Sequence, residues 1–480
     1  MKKVKAALPL AVSLALGLQV LPMSTSTIQA EAAANAAHHS AKVEVKRANS
    51  FLTNLSNGKT KEATRYFSRS LQAKMSEDNL KTWWSSLTAQ LGAVKKVGTA
   101  VQGEVNTVHR NIDIPIKFEH ASATLTVRFS QNRQIDDWRI VPDERQFSFS
   151  TPPYDTPKNY SETQLSIGKA PYELPATLTL PTRSKHQNVP VVILVHGSGP
   201  SDQDETFMSL KPFRDLASGL ASQGIAVLRY NKRTYEHTAK MSGESKISVD
   251  DETTDDAVLA VKAMAKQKGI DSRNIFILGH SQGGMMMPRI LNQTPDKSVR
   301  GSVLLAAPSR TLPELMLEQF AYLVSLNQLP KEQLSFFQQQ FAILQDPSFS
   351  PAQPPKEFLL GTPYFWYDLA HWHPAEIAKS QKTPLLLLQG ARDYQVTTED
   401  FEGWKQSLSQ RSNASFKLYP KLNHFFTEGT GEKSTPDEYS VSANIPSYVI
   451  DDIVKWVRET QKYRKKSGFV RSFLSIFYLR

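Results

Sequence analysis

Ile275-Phe276-Ile277-Leu278-Gly279-His280-Ser281-Gln282-Gly283 is the stretch on which the reading of this chain turns. The first four residues form a short apolar run of the kind found in a strand buried on both faces. A helical segment follows the second glycine. A sharp strand-to-helix turn needs glycine on both sides, because a Cβ there would strike neighbouring backbone. The serine hydroxyl between them then projects above the sheet, with the positive end of the helix beneath it. A five-residue G-x-S-x-G pattern arises by chance and can be a mere structural turn. Its position after an apolar strand and before a helix makes Ser281 a candidate nucleophile.

Similar apolar runs lie on either side. Val191–Val195, Ala226–Tyr230, Ser302–Ala306 and Leu385–Leu388 read as further buried strands, and Phe416–Tyr419 as a short one. Helical patterns at 211–223 and 251–268 alternate with them. Short apolar runs between amphipathic helices predict an α/β fold: a doubly wound, mostly parallel sheet covered on both faces. Residues 309–381 break that rhythm with a helical pattern at 312–323, a Gln-rich stretch at 333–345 and a Pro-rich loop at 351–355. An insertion there would lie over the carboxyl edge of the sheet, as a cap.

A serine nucleophile needs a base, and the base an orienting carboxylate. Asp393 comes straight after the strand at 385–388, and His424 follows the strand at 416–419. Both therefore fall on loops at strand carboxyl ends, the edge from which Ser281 emerges. Of the competing groups, Asp368, His371 and His373 belong to the cap, and Glu399 and Asp400 look like the start of the next helix. His196-Gly197-Ser198-Gly199 follows the strand at 191–195, where small residues let backbone approach a developing oxyanion closely. Ser198 or Gly199, together with Gln282 after the nucleophile, are the expected oxyanion-hole donors. His196 reads as a structural hydrogen-bonder.

Residues 160–460 resemble a bacterial α/β-hydrolase family that includes carboxylesterases and is related to dienelactone hydrolases and prolyl-oligopeptidase-like enzymes. The resemblance is carried by His196–Thr206 (HGSGPSDQDET), Arg229–Thr234 (RYNKRT), Gly279–Pro288 (GHSQGGMMMP), and Leu388–Val396 with Leu422–His424. It implies hydrolysis of small-molecule esters through an acyl-enzyme, with no metal and no organic cofactor. Asn231 stands where an aspartate is expected in an RYDKR-like stretch. The cap aromatics Tyr364, Phe365, Trp366 and Trp372 could line an acyl pocket or join cap to sheet. Peptidase, thioesterase or acyltransferase chemistry on the same triad remains an alternative, and Glu314 or Glu318 are the candidates to hold a free amine in an exopeptidase. A third reading is a non-catalytic envelope-binding protein on a hydrolase scaffold.

The hydrolase region, 160–461, is preceded by a smaller unit at 43–148. Helical periodicity from Val43 to Leu91 gives way to alternation in Ile112–Phe118 and Leu125–Phe129, so helices precede strands in a separate α+β domain. The order and the Trp83–Gly92 segment (WWSSLTAQLG) resemble small domains similar to nuclear transport factor 2. Trp83, Trp84 and Trp138 read as core. Residues 37–42 read as a spacer and 151–157 (TPPYDTP) as a linker.

Residues 1–30 read as a signal peptide, with Lys2, Lys3 and Lys5 before an apolar stretch and small residues at Ala30 or Ala36 for cleavage. The competing reading is an uncleaved anchor. An exported, extracellular or envelope-associated protein is expected, with no membrane span once the signal is removed. Cysteine is absent, which excludes disulfides, a thiolate nucleophile and a lipid anchor on an N-terminal Cys. The net charge of +11 is concentrated at the ends. Nine positive charges lie in Lys2, Lys3, Lys5 and a basic tail at 463–480 with Lys462, which leaves +2 for residues 6–461. That body lacks the basic face a nucleic-acid partner requires. The tail has no clear helical stripe and reads as a disordered end.

Overall fold

The structure is a computed structural model that describes residues 31–142, 147–185, 187–244 and 246–476. The expected signal peptide, residues 1–30, lies outside the described residues.

Four helices come first among the described residues: α1 (Glu31–Ser56), α2 (Thr60–Thr64), α3 (Arg69–Gln72) and α4 (Glu77–Leu91). Ser68 and Ser76 cap α3 and α4, each accepting from a backbone N–H three residues on, which satisfies donors that the first helical turn leaves unpaired. The strands β1 (Val94–Val97), β2 (Val101–Val105), β3 (Arg110–Phe118), β4 (Ser122–Phe129) and β5 (Ile135–Pro142) then form an antiparallel sheet in which β1 and β2 both pair with β3. Its buried face meets the helices in a core to which Ala239 of the following domain also contributes. Trp138 is buried there against Phe51, Phe67 and Trp83, while Trp83 and Trp84 are half-buried at its rim. Residues 37–42 are not a spacer. They lie inside α1, where alanine's high helix propensity carries the helix back past Val43.

The second domain is an eight-stranded sheet. Its strands are β6 (Tyr160–Ile167), β7 (Leu174–Pro181), β8 (Val189–Val195), β9 (Ala226–Tyr230), β10 (Ile270–His280), β11 (Gly301–Leu305), β12 (Leu385–Gly390) and β13 (Ala414–Tyr419), in spatial order β13-β12-β11-β10-β8-β9-β7-β6. From β13 to β9 every pairing is parallel, and the β6–β7 hairpin adds antiparallel to β9. The hairpin has no apolar run in its outer strand, half of whose residues are exposed, and periodicity alone does not reveal it.

Strand alternation divides the core. Val191, Ile193, Ile277, Leu304 and Leu387 face one layer. Val192, Leu194, Phe276, Leu278, Val303 and Leu388 face the other. Helix α5 (Pro212–Ser222) and the C-terminal helix cover the second layer. The helix expected over 251–268 is shorter: a wider turn at Asp250–Thr254 precedes α8 (Asp255–Met264), which follows two short helices, α6 (Arg233–Glu236) and α7 (Thr238–Ser242). The segments α9 (Gln282–Met285) and α10 (Met287–Gln293) follow β10.

The cap is helical: α11 (Leu312–Ser325), α12 (Lys331–Leu344), α13 (Pro363–Ala370) and α14 (Pro374–Ala378). It joins the first layer through Phe320, Phe337, Phe341 and Trp366. Arg289 on α10 donates to both oxygens of Asp368 at 2.6 and 2.7 Å and lies 4.3 Å over the Trp372 ring. Trp372 Nε1 in turn donates to Met285 O at 3.0 Å. Helix α15 (Thr398–Ser407) begins at the acidic pair Glu399 and Asp400, and α16 (Ser447–Ile476) ends the fold. The stretch 463–476 is thus helical backbone and not an irregular end. Its docked first half nucleates the helix, and further turns propagate at low cost. Among the described residues no helix is long and apolar enough to cross a membrane.

Candidate active site

Ser281 sits at the top of β10 with φ 51° and ψ −118°, a positive-φ conformation that an L-residue adopts only under constraint. Two contacts impose it. The Ser281 N–H donates to Leu305 O at the end of β11 (2.8 Å), and Ser281 O accepts the Met285 N–H of α9 (2.9 Å). The flanking glycines make the turn possible. A Cβ on Gly279 would lie 2.4 Å from Gly283 C, and one on Gly283 would lie 2.3 Å from Val195 O. Ser281 stays half-buried while its neighbours are fully enclosed.

His424 is buried (3 % exposed) and its Nδ1 lies 2.8 Å from Asp393 Oδ2. Asp393 (2 % exposed) is itself held: Oδ1 accepts the N–H groups of Gln395 (2.8 Å) and Val396 (3.0 Å), and Oδ2 accepts Gln389 Nε2 (3.3 Å). A carboxylate so oriented accepts the Nδ1–H, which leaves the lone pair of His424 on Nε2. The loop carrying Asp393 turns tightly against that carrying His424, for a Cβ on Gly390 would lie 2.3 Å from Leu422 O. The ring of His280, the residue before Ser281, lies 4.7 Å from the His424 ring, and its Nε2 donates to His424 O at 3.0 Å. Three loops from β10, β12 and β13 are thereby brought to one edge.

The rival residues are engaged elsewhere. Asp368 pairs with Arg289 in the cap; Glu399 and Asp400 pair with Arg310 at 3.2 and 2.8 Å. Glu314 caps its own helix through Thr311, and Glu318 pairs with Arg310 at 2.5 Å. His371 is exposed and packs on Tyr367. Among the cap aromatics, Trp366 is core and Trp372 an anchor to Met285.

The 196–206 loop approaches closely: a Cβ on Gly197 would lie 3.2 Å from Ser281 Cβ. Of the expected donors, the Gly199 N–H is taken by Glu252 Oε1 at 3.2 Å, so its direction is away from an oxyanion. Ser198 is half-buried in the same loop, and Gln282 is the first residue of α9, where an N–H has no partner within the helix. Gln282 Nε2 donates to Glu252 Oε2 at 2.6 Å. His196 is structural: its ring packs on Phe213 and Tyr230, Nε2 lies 2.9 Å from Asp202 O, and burial pushes its pKa down to about 4.

Sequence reasoning missed three groups here. Glu205 stands 3.0 Å from His280 Nδ1 and accepts the Gly197 N–H at 2.7 Å. Burial works against charge on His280, but the Glu205 carboxylate outweighs it and raises the imidazole's pKa. Lys232 donates to Gly197 O at 2.6 Å and pairs with Glu252 at 3.0 Å. Phe207, Tyr322, Tyr394, Phe425 and Tyr439 form an aromatic cluster beside His424. Tyr394 and Phe425 adjoin the triad candidates in sequence, which was the available signal.

A doubly wound sheet with a strained serine turn, a buried His–Asp pair and a glycine-bearing loop defines the α/β-hydrolase class. Residues 192–440 match the alpha/beta hydrolase family, and residues 48–137 match a family described as a protein of unknown function, DUF3887. The chain is 33% identical over 408 residues to Esterase EstD of Thermotoga maritima, covering 85% of this chain and 93% of that one. It is 22% identical over 285 residues to the acylamino-acid-releasing enzyme of Rattus norvegicus, covering 57% of this chain and 34% of that one. Among solved structures, Est1E from Butyrivibrio proteoclasticus aligns at 15% identity and TM-score 0.39, over 62% of this chain and 99% of that one. The chain belongs to the alpha/beta hydrolase family, and it is an enzyme of hydrolase type.

Proposed function

We propose that this protein is an exported serine carboxylesterase in which Ser281 is the nucleophile, His424 the base and Asp393 its orienter. The observation that carries the reading is the buried His424–Asp393 pair at 2.8 Å beside the strained Ser281 turn. The extensive likeness to Esterase EstD supports the ester as the bond cleaved.

His424 Nε2 takes the Ser281 proton as the oxygen attacks an ester carbonyl. The N–H groups of Gln282 and Ser198 stabilise the oxyanion, each good donor contributing roughly 3–4 kcal/mol. His424 then passes the proton to the leaving alcohol, and water activated by the same imidazole releases the acid. Asp393 stabilises the imidazolium in both halves. The commitments of Glu314 and Glu318 to Thr311 and Arg310 leave neither in place to bind a free amine, which favours esterase over exopeptidase.

The test is hydrolysis of p-nitrophenyl acetate, butyrate and decanoate by the mature protein and by Ser281→Ala in parallel, with fluorophosphonate labelling of both. Activity and labelling lost in the variant are expected. A wild type that neither hydrolyses these esters nor takes the label would sink the reading.

A further inference from the structure

The two domains meet on a buried charged seam. His109, just before β3, is fully enclosed, with Nδ1 2.6 Å from Glu236 Oε1 and Nε2 3.0 Å from Asp136 Oδ2. A ring placed between two carboxylates is favoured in its protonated form, in which both nitrogens donate. Lys240 Nζ lies 2.5 Å from Asp136 Oδ2 and 3.3 Å from His237 Nδ1. The cluster His109, Asp136 and His237 has the donor types and spacing of a metal site, but the chain's own Lys240 ammonium bonds two of its three members.

The seam continues toward Ser281. Glu236 Oε2 accepts Asn231 Nδ2 at 2.7 Å, and Asn231 Oδ1 accepts the Gln203 N–H at 2.9 Å. The next residue clamps the same loop, since the Lys232 N–H donates to Ser201 O at 2.9 Å and its Nζ to Gly197 O at 2.6 Å. Asn231 is thus the junction between the interdomain carboxylate and the loop that approaches Ser281. It also explains a departure noted in the RYNKR stretch. An aspartate accepting from Gln203 could not also donate to Glu236, and two carboxylates would face each other; an amide satisfies both neighbours.

We propose that Asn231 is a positioning residue for the oxyanion loop, and that through its contact with Glu236 the N-terminal domain holds that loop in its working geometry. The inference rests on Ser281 being the nucleophile. The groups facing the seam are Asp136, Asp137 and Arg139 of β5, Arg128 of β4, Glu104 of β2, Glu236 of α6, His237 at its end, Lys240 of α7 and Asp202 of the loop.

The test compares Asn231→Asp, the double variant Asn231→Asp with Glu236→Gln, and Lys74→Ala. Lys74 joins the domains through Glu244 at 2.6 Å, away from the relay. At pH 8, Asn231→Asp should lower kcat by about 10- to 100-fold, the loss expected when a reacting geometry shifts by a fraction of an ångström to one ångström, with KM little changed. The ratio of variant to wild-type kcat should rise as pH falls, because one proton shared by the two carboxylates restores the donor. The double variant should recover kcat, since the amide introduced by Glu236→Gln can donate where Asn231 did, and Lys74→Ala should match wild type. If Asn231→Asp does not fold, Asn231→Ala is compared with the double variant for the same contrast. An active wild type with Asn231→Asp equal to it across pH, or Lys74→Ala falling equally, overturns this inference alone. A wild type inactive on esters and unlabelled by fluorophosphonate sinks it together with the assignment of Ser281.

Discussion

His196 illustrates how a single buried side chain sets a pH limit on the fold. Its ring is held neutral, with Nε2–H toward Asp202 O, and burial brings its pKa to about 4 from an ordinary value near 6.5. The folded state then binds fewer protons than the unfolded chain between those values. Its contribution is present above pH 6.5 and is lost as pH falls toward 4, at up to about 1.4 kcal/mol per pH unit. His196→Phe should flatten the acid side of the stability curve in that window, read as urea midpoints at pH 4.5, 5.5 and 7. Equal slopes in both proteins would remove the assignment. The same loop shows why glycine is required at Gly283: its position is bounded by backbone oxygen, which cannot move aside as a side chain can.

At the scale of elements, the cap is held to the sheet domain by few polar contacts and an aromatic seam. Arg289 supplies a bidentate pair to Asp368 and covers Trp372, so one side chain ties α10 to α13 and to the start of α14. Replacing it by Met keeps the apolar stem but leaves Asp368 without its cation. A cost of about 1–3 kcal/mol is expected at a charge-assisted, partly buried pair. Because α11 reaches the loop carrying Asp393, where Gln319 Nε2 donates to Gln395 O at 2.8 Å, Arg289→Met should raise KM more than it lowers kcat and speed proteolysis in residues 345–362. Unchanged KM and cleavage would show that the aromatic seam and the remaining contacts, such as Trp372 with Met285 O and Arg310 with Asp400, secure the cap without Arg289.

The two domains are joined by a charged seam and by Ala239 of α7, which is buried in the N-terminal core. His109 is favoured in its protonated form because, although burial opposes it, the Asp136 and Glu236 hydrogen bonds prevail. With His109→Leu, Glu236 loses its ion-pair partner while Asp136 keeps Lys240, and leaving a buried charge uncompensated costs about 3–5 kcal/mol. The wild type is expected to unfold in a single calorimetric transition, and His109→Leu in two, with the N-terminal domain melting first. The His109 contribution is complete below the unfolded pKa near 6.5 and is lost as pH rises through the higher folded value. The variant's deficit should therefore shrink at alkaline pH. A deficit independent of pH would contradict the imidazolium.

The parallel strands, the serine turn and the loops bearing Asp393 and His424 were legible in the residues themselves. Continuous apolar runs and flanking glycines report local requirements, and chain order along a doubly wound sheet places strand ends at one edge. The hairpin β6–β7 was not legible, because half of its outer strand is exposed and that strand carries no apolar period. Nor was the commitment of Gly199 to Glu252, or the path from His109 through Glu236 and Asn231 to Gln203. These contacts join residues up to 127 positions apart, and polar side chains carry no periodicity by which a partner across a fold can be read. The amino-acid sequence by itself determined which residues could do chemistry. Only the tertiary structure decided which charges meet, because that depends on how two separately patterned cores dock.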